Sequence, residues 1–158
     1  MSDVRREDFV ANLFTFLVET FESPPEPSNA YLDQKAGLFD TLEPLSANQA
    51  SQPVAKGATS IAAHVERIRF YVDVLEQFMD GRTEKVDWED SWGVQEVTPE
   101  AWAALKRDLK AAYASVVKKF EGVSEWGDDE VGDSLAIVVH TVYHLGAIRQ
   151  MVKVIAHV

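Results

Sequence analysis

Apolar residues recur along most of this chain at three- and four-residue intervals, while the strict alternation of half-buried strands is scarce. From Glu7 to about Glu22, Phe9, Val10, Leu13, Phe14, Phe16, Leu17, Val18 and Phe21 form a broad helical face. Pro24, Pro25 and Pro27 end it, because proline has no amide proton and its ring clashes with the preceding turn. Leu32, Phe39, Leu42 and Leu45 suggest a second, less regular helical stretch from Asn29 to about Leu45. Ser46 to Thr59, rich in Ala, Ser, Gln, Pro and Gly, reads as a connecting loop. A clear helix follows: Thr59 or Ser60 can cap it, Ile61, Val65, Ile68, Val72, Leu75 and Met79 mark its apolar face, and Gly81 stops it.

Arg82 to Val97 is a polar loop containing Asp87-Trp88-Glu89-Asp90-Ser91-Trp92. Thr98-Pro99-Glu100 then combines a capping hydroxyl, a first-turn proline and an acid at the positive helix end. That helix runs through Trp102, Leu105, Leu109, Tyr113 and Val116 to Phe120, with Gly122 beyond. A last, very apolar helix is expected from about Val131 to Ala156. No internal repeat interrupts the series, so the pattern predicts an all-α bundle forming one domain over residues 1–158.

Composition fits a globular domain: 158 residues, 46% hydrophobic and 26% charged. No run reaches the ~18–20 uninterrupted apolar residues of a membrane span, and Met1 to Asp8 lacks the apolar segment of a signal peptide. The expected compartment is the cytoplasm. There is no cysteine, which removes disulfides, thiolate ligands and a cysteine nucleophile together. The net charge of -11, with no basic stripe, argues against nucleic acid or an anionic membrane as partner.

Candidate chemistry lies in the histidines His64, His140, His144 and His157. His140 and His144 are four residues apart on one helix, so both imidazoles leave the same face about one turn apart and can reach one metal ion. His64, at the start of another long helix, can supply a third nitrogen in an antiparallel bundle, leaving positions open for water or substrate. The spacing alone equally suits ordinary core or surface histidines. Thr141 stands where a zinc protease of the familiar helical motif carries glutamate, so that activity is not supported. Elsewhere packing is the favoured role: Tyr143 in a core or interface over a catalytic hydroxyl, Gly146 at a close helix contact over a substrate notch, and Trp88 and Trp92 over the bundle end, with a pocket mouth as the alternative. Arg67 and Arg149 read as solvated salt bridges, with an acidic substrate as the alternative. Glu66 and Asp73 have no special phase relative to His64, and His157 has no assigned role.

Thr59-Ser60-Ile61-Ala62-Ala63-His64, followed by His140-Thr141-Val142-Tyr143-His144-Leu145-Gly146-Ala147-Ile148, resembles the DinB/YfiT-like superfamily. Asp87-Trp88, Ser91-Trp92 and the stretch from Gly37 to Leu45 look like one branch of it. The resemblance extends from about Gly37 onward and implies a four-helix bundle with a divalent metal held between helices by His64, His140 and His144. Arg67 stands where related sequences often carry a further histidine, a change of pocket polarity that leaves the triad intact.

The members with assigned activity resemble enzymes that activate a low-molecular-weight thiol on the metal, for S-transfer to an electrophile or for isomerisation of an unsaturated acid. The resemblance thus implies a small-molecule metalloenzyme, with zinc or nickel as the metal and iron or cobalt also suited to the ligands. The alternative is a non-enzymatic helical interaction or stress protein with a structural or vestigial metal site. Broad apolar faces on the first and last helices suit a homodimer or burial within one bundle.

Overall fold

The computed structural model describes residues 4–25, 27 and 29–156, and over these the chain is all-helical, without strands. His157 lies outside the described residues. Four long helices carry the fold: α1 (Arg6–Glu22), α4 (Ile61–Met79), α5 (Pro99–Gly122) and α6 (Asp128–Ile155). Two short ones, α2 (Leu38–Leu42) and α3 (Ala47–Ser51), lie between α1 and α4, and a 3-10 turn spans Trp88–Trp92. Helix α4 packs on both α5 and α6, while α1 packs on α6 and α2. Phe21 of α1 stacks on Tyr113 of α5 at 4.5 Å between ring centres, which joins α1 to α5.

The ends of the long helices follow from local chemistry. Ser60 accepts the Ala63 N–H and starts α4. Gly81, at φ 92, closes α4 with N–H bonds from Gly81 to the Phe78 carbonyl and from Arg82 to the Gln77 carbonyl. Thr98 caps α5 through the Ala101 N–H, with Pro99 in the first turn. The last helix begins at Asp128, three residues before its apolar run. Asp128, Asp129 and Glu130 form its first turn, and the Glu130 carboxylate accepts the Gly127 N–H.

The stretch from Asn29 departs from the sequence expectation, since only Leu38–Leu42 is helical. The reason lies in α1. Glu19, 1% exposed, accepts the backbone N–H groups of Ala30, Tyr31 and Leu32. Those donors are therefore committed to a carboxylate and not to helical carbonyls. Beyond them Gly37 packs so tightly on Ser23 that an added Cβ would lie 2.3 Å from its backbone nitrogen. Ser23 itself stands at φ 86, held by accepting the Gly37 N–H and donating to Asp40.

The expected loop from Ser46 to Thr59 likewise contains α3, whose Ser46–Gln49 capping box satisfies both ends of its first turn. One contiguous core joins Leu13, Leu17 and Phe21 to Leu38, Ile61, Ile68, Leu109, Phe120, Ile137 and Ile148. By length and composition α6 could cross a membrane, at mean hydropathy 1.3 over 18 residues. Its Ile137, Leu145 and Ile148, however, are buried in that core.

Burial raises the Glu19 pKa, but its three backbone N–H bonds together outweigh that and leave it below the usual 4.5. A folded-state pKa below the unfolded one gives stability that is present above pH 4.5 and lost as pH falls through the folded value. Glu19→Gln is expected to lose about 1–3 kcal/mol at pH 7 in urea denaturation. Its deficit against the wild type should shrink below pH 4.5; a constant deficit would show that the carboxylate charge is not what holds residues 30–32.

Candidate metal centre

Helix α4 begins at Ile61, so His64 sits in its first turn and its N–H donates to the Ser60 carbonyl. His140 and His144 project from the middle of α6, one turn apart. The packing of α4 on α6 brings His64 Nδ1 to 2.8 Å from His144 Nδ1, across 80 residues of sequence. His144 Nε2 lies 3.2 Å from His140 Nε2. Thr59 Oγ1 stands 2.9 Å from His64 Nε2 and completes a chain of four side chains.

Counting protons along this chain exposes a mismatch. A neutral imidazole has one N–H and one bare nitrogen. If His64 donates to His144, then His144 donates to His140, and His140 Nδ1 keeps an unused N–H. If the donors run the other way, His140 Nδ1 is a bare nitrogen. In either case the same atom is left over, and His140 Nδ1 is indeed buried without a partner among the described residues.

All three rings are held neutral. Burial, then the neighbouring His144, then Arg67 lower the His140 pKa from 6.5 to about 3. Burial, His64 and Arg67 lower that of His144 to about 4, and burial lowers that of His64. Neutral imidazole is the form that binds metal.

The donor set therefore fits a divalent ion in kind, as three neutral imidazoles from two helices. Two nitrogens that share an ion at about 2.0–2.1 Å lie roughly 3.0–3.4 Å apart, whereas the two gaps here, 2.8 and 3.2 Å, are hydrogen bonds between facing nitrogens. The orientation is not yet that of a ligand set. His144 shows a different nitrogen to each neighbour, so the three lone pairs do not meet at one point. Among the described residues no group of three or more His, Asp, Glu or Cys is placed to hold an ion as it stands. A shared ion requires at least one of the rings to turn.

Aromatic side chains wall the cluster. Tyr71 stacks on His140 with ring centres 3.7 Å apart, and Trp92 meets His64 and His144 edge-on at 5.7 and 5.8 Å. Trp88 packs on Phe70 and Tyr71. Both tryptophans belong to the 3-10 turn, which Asp87 starts by accepting the Glu89 N–H. They thus pack, as expected, and also form the wall of the site. Clefts at Ala47 and Pro99, at Gln77 and Arg82, and at Phe78 and Asp133 are lined by no histidine.

Several sequence expectations need correction. Arg67 forms no ion pair among the described residues; it donates to the Trp88 carbonyl and to Ser91 Oγ, both at 2.6 Å. Arg149 likewise donates to a backbone oxygen, that of Ala36. Tyr143 is 73% exposed, which removes the core half of its expected role and leaves the interface half open. Gly146 is also exposed, and an added Cβ would meet nothing within 4 Å, so it makes no close helix contact. Glu66 and Asp73 are taken up by Arg69. Tyr71 was missed, although Arg67 and Tyr71 follow His64 by three and seven residues and so share its helix face.

No family model, curated protein or solved structure matches this chain.

A histidine pKa lowered on folding means that the unfolded chain takes up protons first. In metal-free protein, stability should fall as pH drops from 6.5 toward the folded values, and this loss is absent above pH 6.5. Imidazole 15N shifts are expected to keep His140 and His144 neutral at pH 5. In urea denaturation His140→Leu should gain on the wild type between pH 6.5 and 4. Protonation of either ring near pH 6.5 would contradict the burial and proximity described here.

Proposed function

We propose that this chain is a DinB-like four-helix bundle in which His64, His140 and His144 hold one divalent metal ion, and that it acts on small molecules as a metal-dependent thiol transferase or related enzyme. The observation that carries the reading is the junction of three neutral imidazoles from two helices, with gaps of 2.8 and 3.2 Å and one buried nitrogen left over. The pairwise packing of α1, α4, α5 and α6 supports the bundle, and the quoted motifs support the family. Zinc or nickel suits three imidazoles best, with iron or cobalt as the next choices.

Such an ion, when bound, supplies a lowered pKa to a coordinated thiol or water, and so a nucleophile at neutral pH. The chain's own residues prepare that place. Burial keeps the imidazoles uncharged and available. Tyr71 fixes the His140 ring plane, the Thr59 hydroxyl orients His64, and Trp92 excludes water from one side. The chain contains no cysteine, so a thiol would arrive with the substrate. A homodimer would use the exposed apolar stripe Leu135, Val139 and Tyr143 on α6.

A second reading rests on the closure by Trp92. A metal site sealed by aromatic rings suits a structural or vestigial ion in a non-enzymatic helical protein.

Elemental mass spectrometry on tag-free protein separates metal binding from both. About one zinc or nickel ion per chain is expected, lost in His64→Ala and in His140→Ala while helical content is retained. Wild-type protein that takes up added zinc or nickel no more tightly than these variants would end the metal reading. With metal bound, turnover of a thiol with an electrophile favours the enzyme, and its absence the sealed structural site.

A further inference from the structure

Arg67 is the charged group of this site that the metal reading leaves without a role. Its hydrogen bonds among the described residues run through Nη1 alone, to the Trp88 carbonyl and Ser91 Oγ. Its Nε is buried without a partner. The Nε–H and Nη2 edge is therefore unused, and that edge is the side-on fork with which guanidinium binds two oxygens at once. The charged carbon lies 5.6 Å from the Trp88 ring centre and 5.4 Å from that of Trp92. Its charge reaches far enough to depress the pKa values of both His140 and His144.

A buried N–H without an acceptor is unfavourable, and an arginine without an ion pair is conspicuous in a chain with 26 acidic against 15 basic residues. The acids nearby in sequence are spent on Arg69. Asp133, whose charge is felt at Tyr71 together with that of Arg67, forms no ion pair with it. Three neutral imidazoles add no negative charge, and a divalent ion among them would add more positive charge. Among the described residues nothing supplies the acceptor that Nε–H lacks, although Asp87, Glu89 and Asp90 lie in or beside the turn on which Arg67 docks.

We propose that Arg67 is a specificity residue that grips the carboxylate of a small-molecule substrate through its Nε–Nη2 edge, beside the three histidines. The inference rests on the histidine cluster being the reacting site, and names its substrates as small carboxylic acids or carboxylate-bearing thiols. A planar carboxylate matches the two parallel donors of the fork better than a tetrahedral oxyanion. Since Nε is buried, entry requires the Trp88–Trp92 turn to shift, and Arg67 is itself the residue that fastens that turn.

The test uses the whole chain, metal-free and zinc-loaded, with propionate, 3-mercaptopropionate and inorganic phosphate as probes. In 1H–15N spectra of metal-free wild type, propionate is expected to move the Arg67 Nε–H and the Trp88 and Trp92 indole N–H signals. Arg67→Gln should weaken propionate binding about tenfold or more, the worth of a charge-assisted fork. Arg67→Lys, which keeps the charge without the fork, should fall between the two. Unmoved signals, equal affinity in Arg67→Gln, or tighter binding of phosphate through the same signals would overturn the proposal. If Arg67→Gln does not fold, the wild-type signals and Arg67→Lys decide it. Because propionate is tested without metal, failure of metal binding and failure of this site give different results. In zinc-loaded protein 3-mercaptopropionate should bind more tightly than propionate, and equal affinity would remove the cluster as the reacting site.

Discussion

The site depends on the register of α4 against α6. Ile61, Ala62, Ala63, Val65 and Ile68 are all fully buried around His64, so the first two turns of α4 have no freedom to rotate or slide. Ser60 fixes where α4 begins, and α6 contributes Ile137, Leu145 and Ile148 to the same core. A slip of one residue along either helix would turn an imidazole into apolar packing. With the register fixed, the histidines are forced together at a depth where none of them takes a proton readily. Their neutrality and the orphaned His140 nitrogen follow from that one packing choice.

The long helices were legible because their signals are local and redundant. Periodicity, capping residues and Gly81 agree at α4, and Thr98-Pro99 at α5 does the same. The region between α1 and α4 was less legible for a physical reason. Residues 30–32 are held by Glu19, which lies eleven to thirteen positions away on α1, and nothing local announces such a contact. The short helix α3 did carry a signal, the Ser46–Gln49 pair, masked by the Ala, Ser and Pro around it.

At the site, spacing along each helix was readable and the pairing between helices was not. His140 and His144 declare a shared face; that His64 meets His144 through Nδ1, and not through the nitrogen bonded to Thr59, is decided by tertiary packing. Arg67 illustrates the same limit. In an acidic chain an ion pair is the natural expectation for an arginine, yet here two indoles, a carbonyl and a hydroxyl receive it. Arg67 thus gives the half-buried site a positive charge, opposite in sign to the net charge of the chain as a whole.

The most direct measurement is a crystal structure of zinc-soaked protein with anomalous data collected at the zinc edge. A single strong peak bonded to His64, His140 and His144, with at least one imidazole turned from its present hydrogen bond, is the expected result. The contrary result is a histidine chain still hydrogen-bonded end to end, with zinc elsewhere or nowhere, which would leave the cluster as buried polar packing.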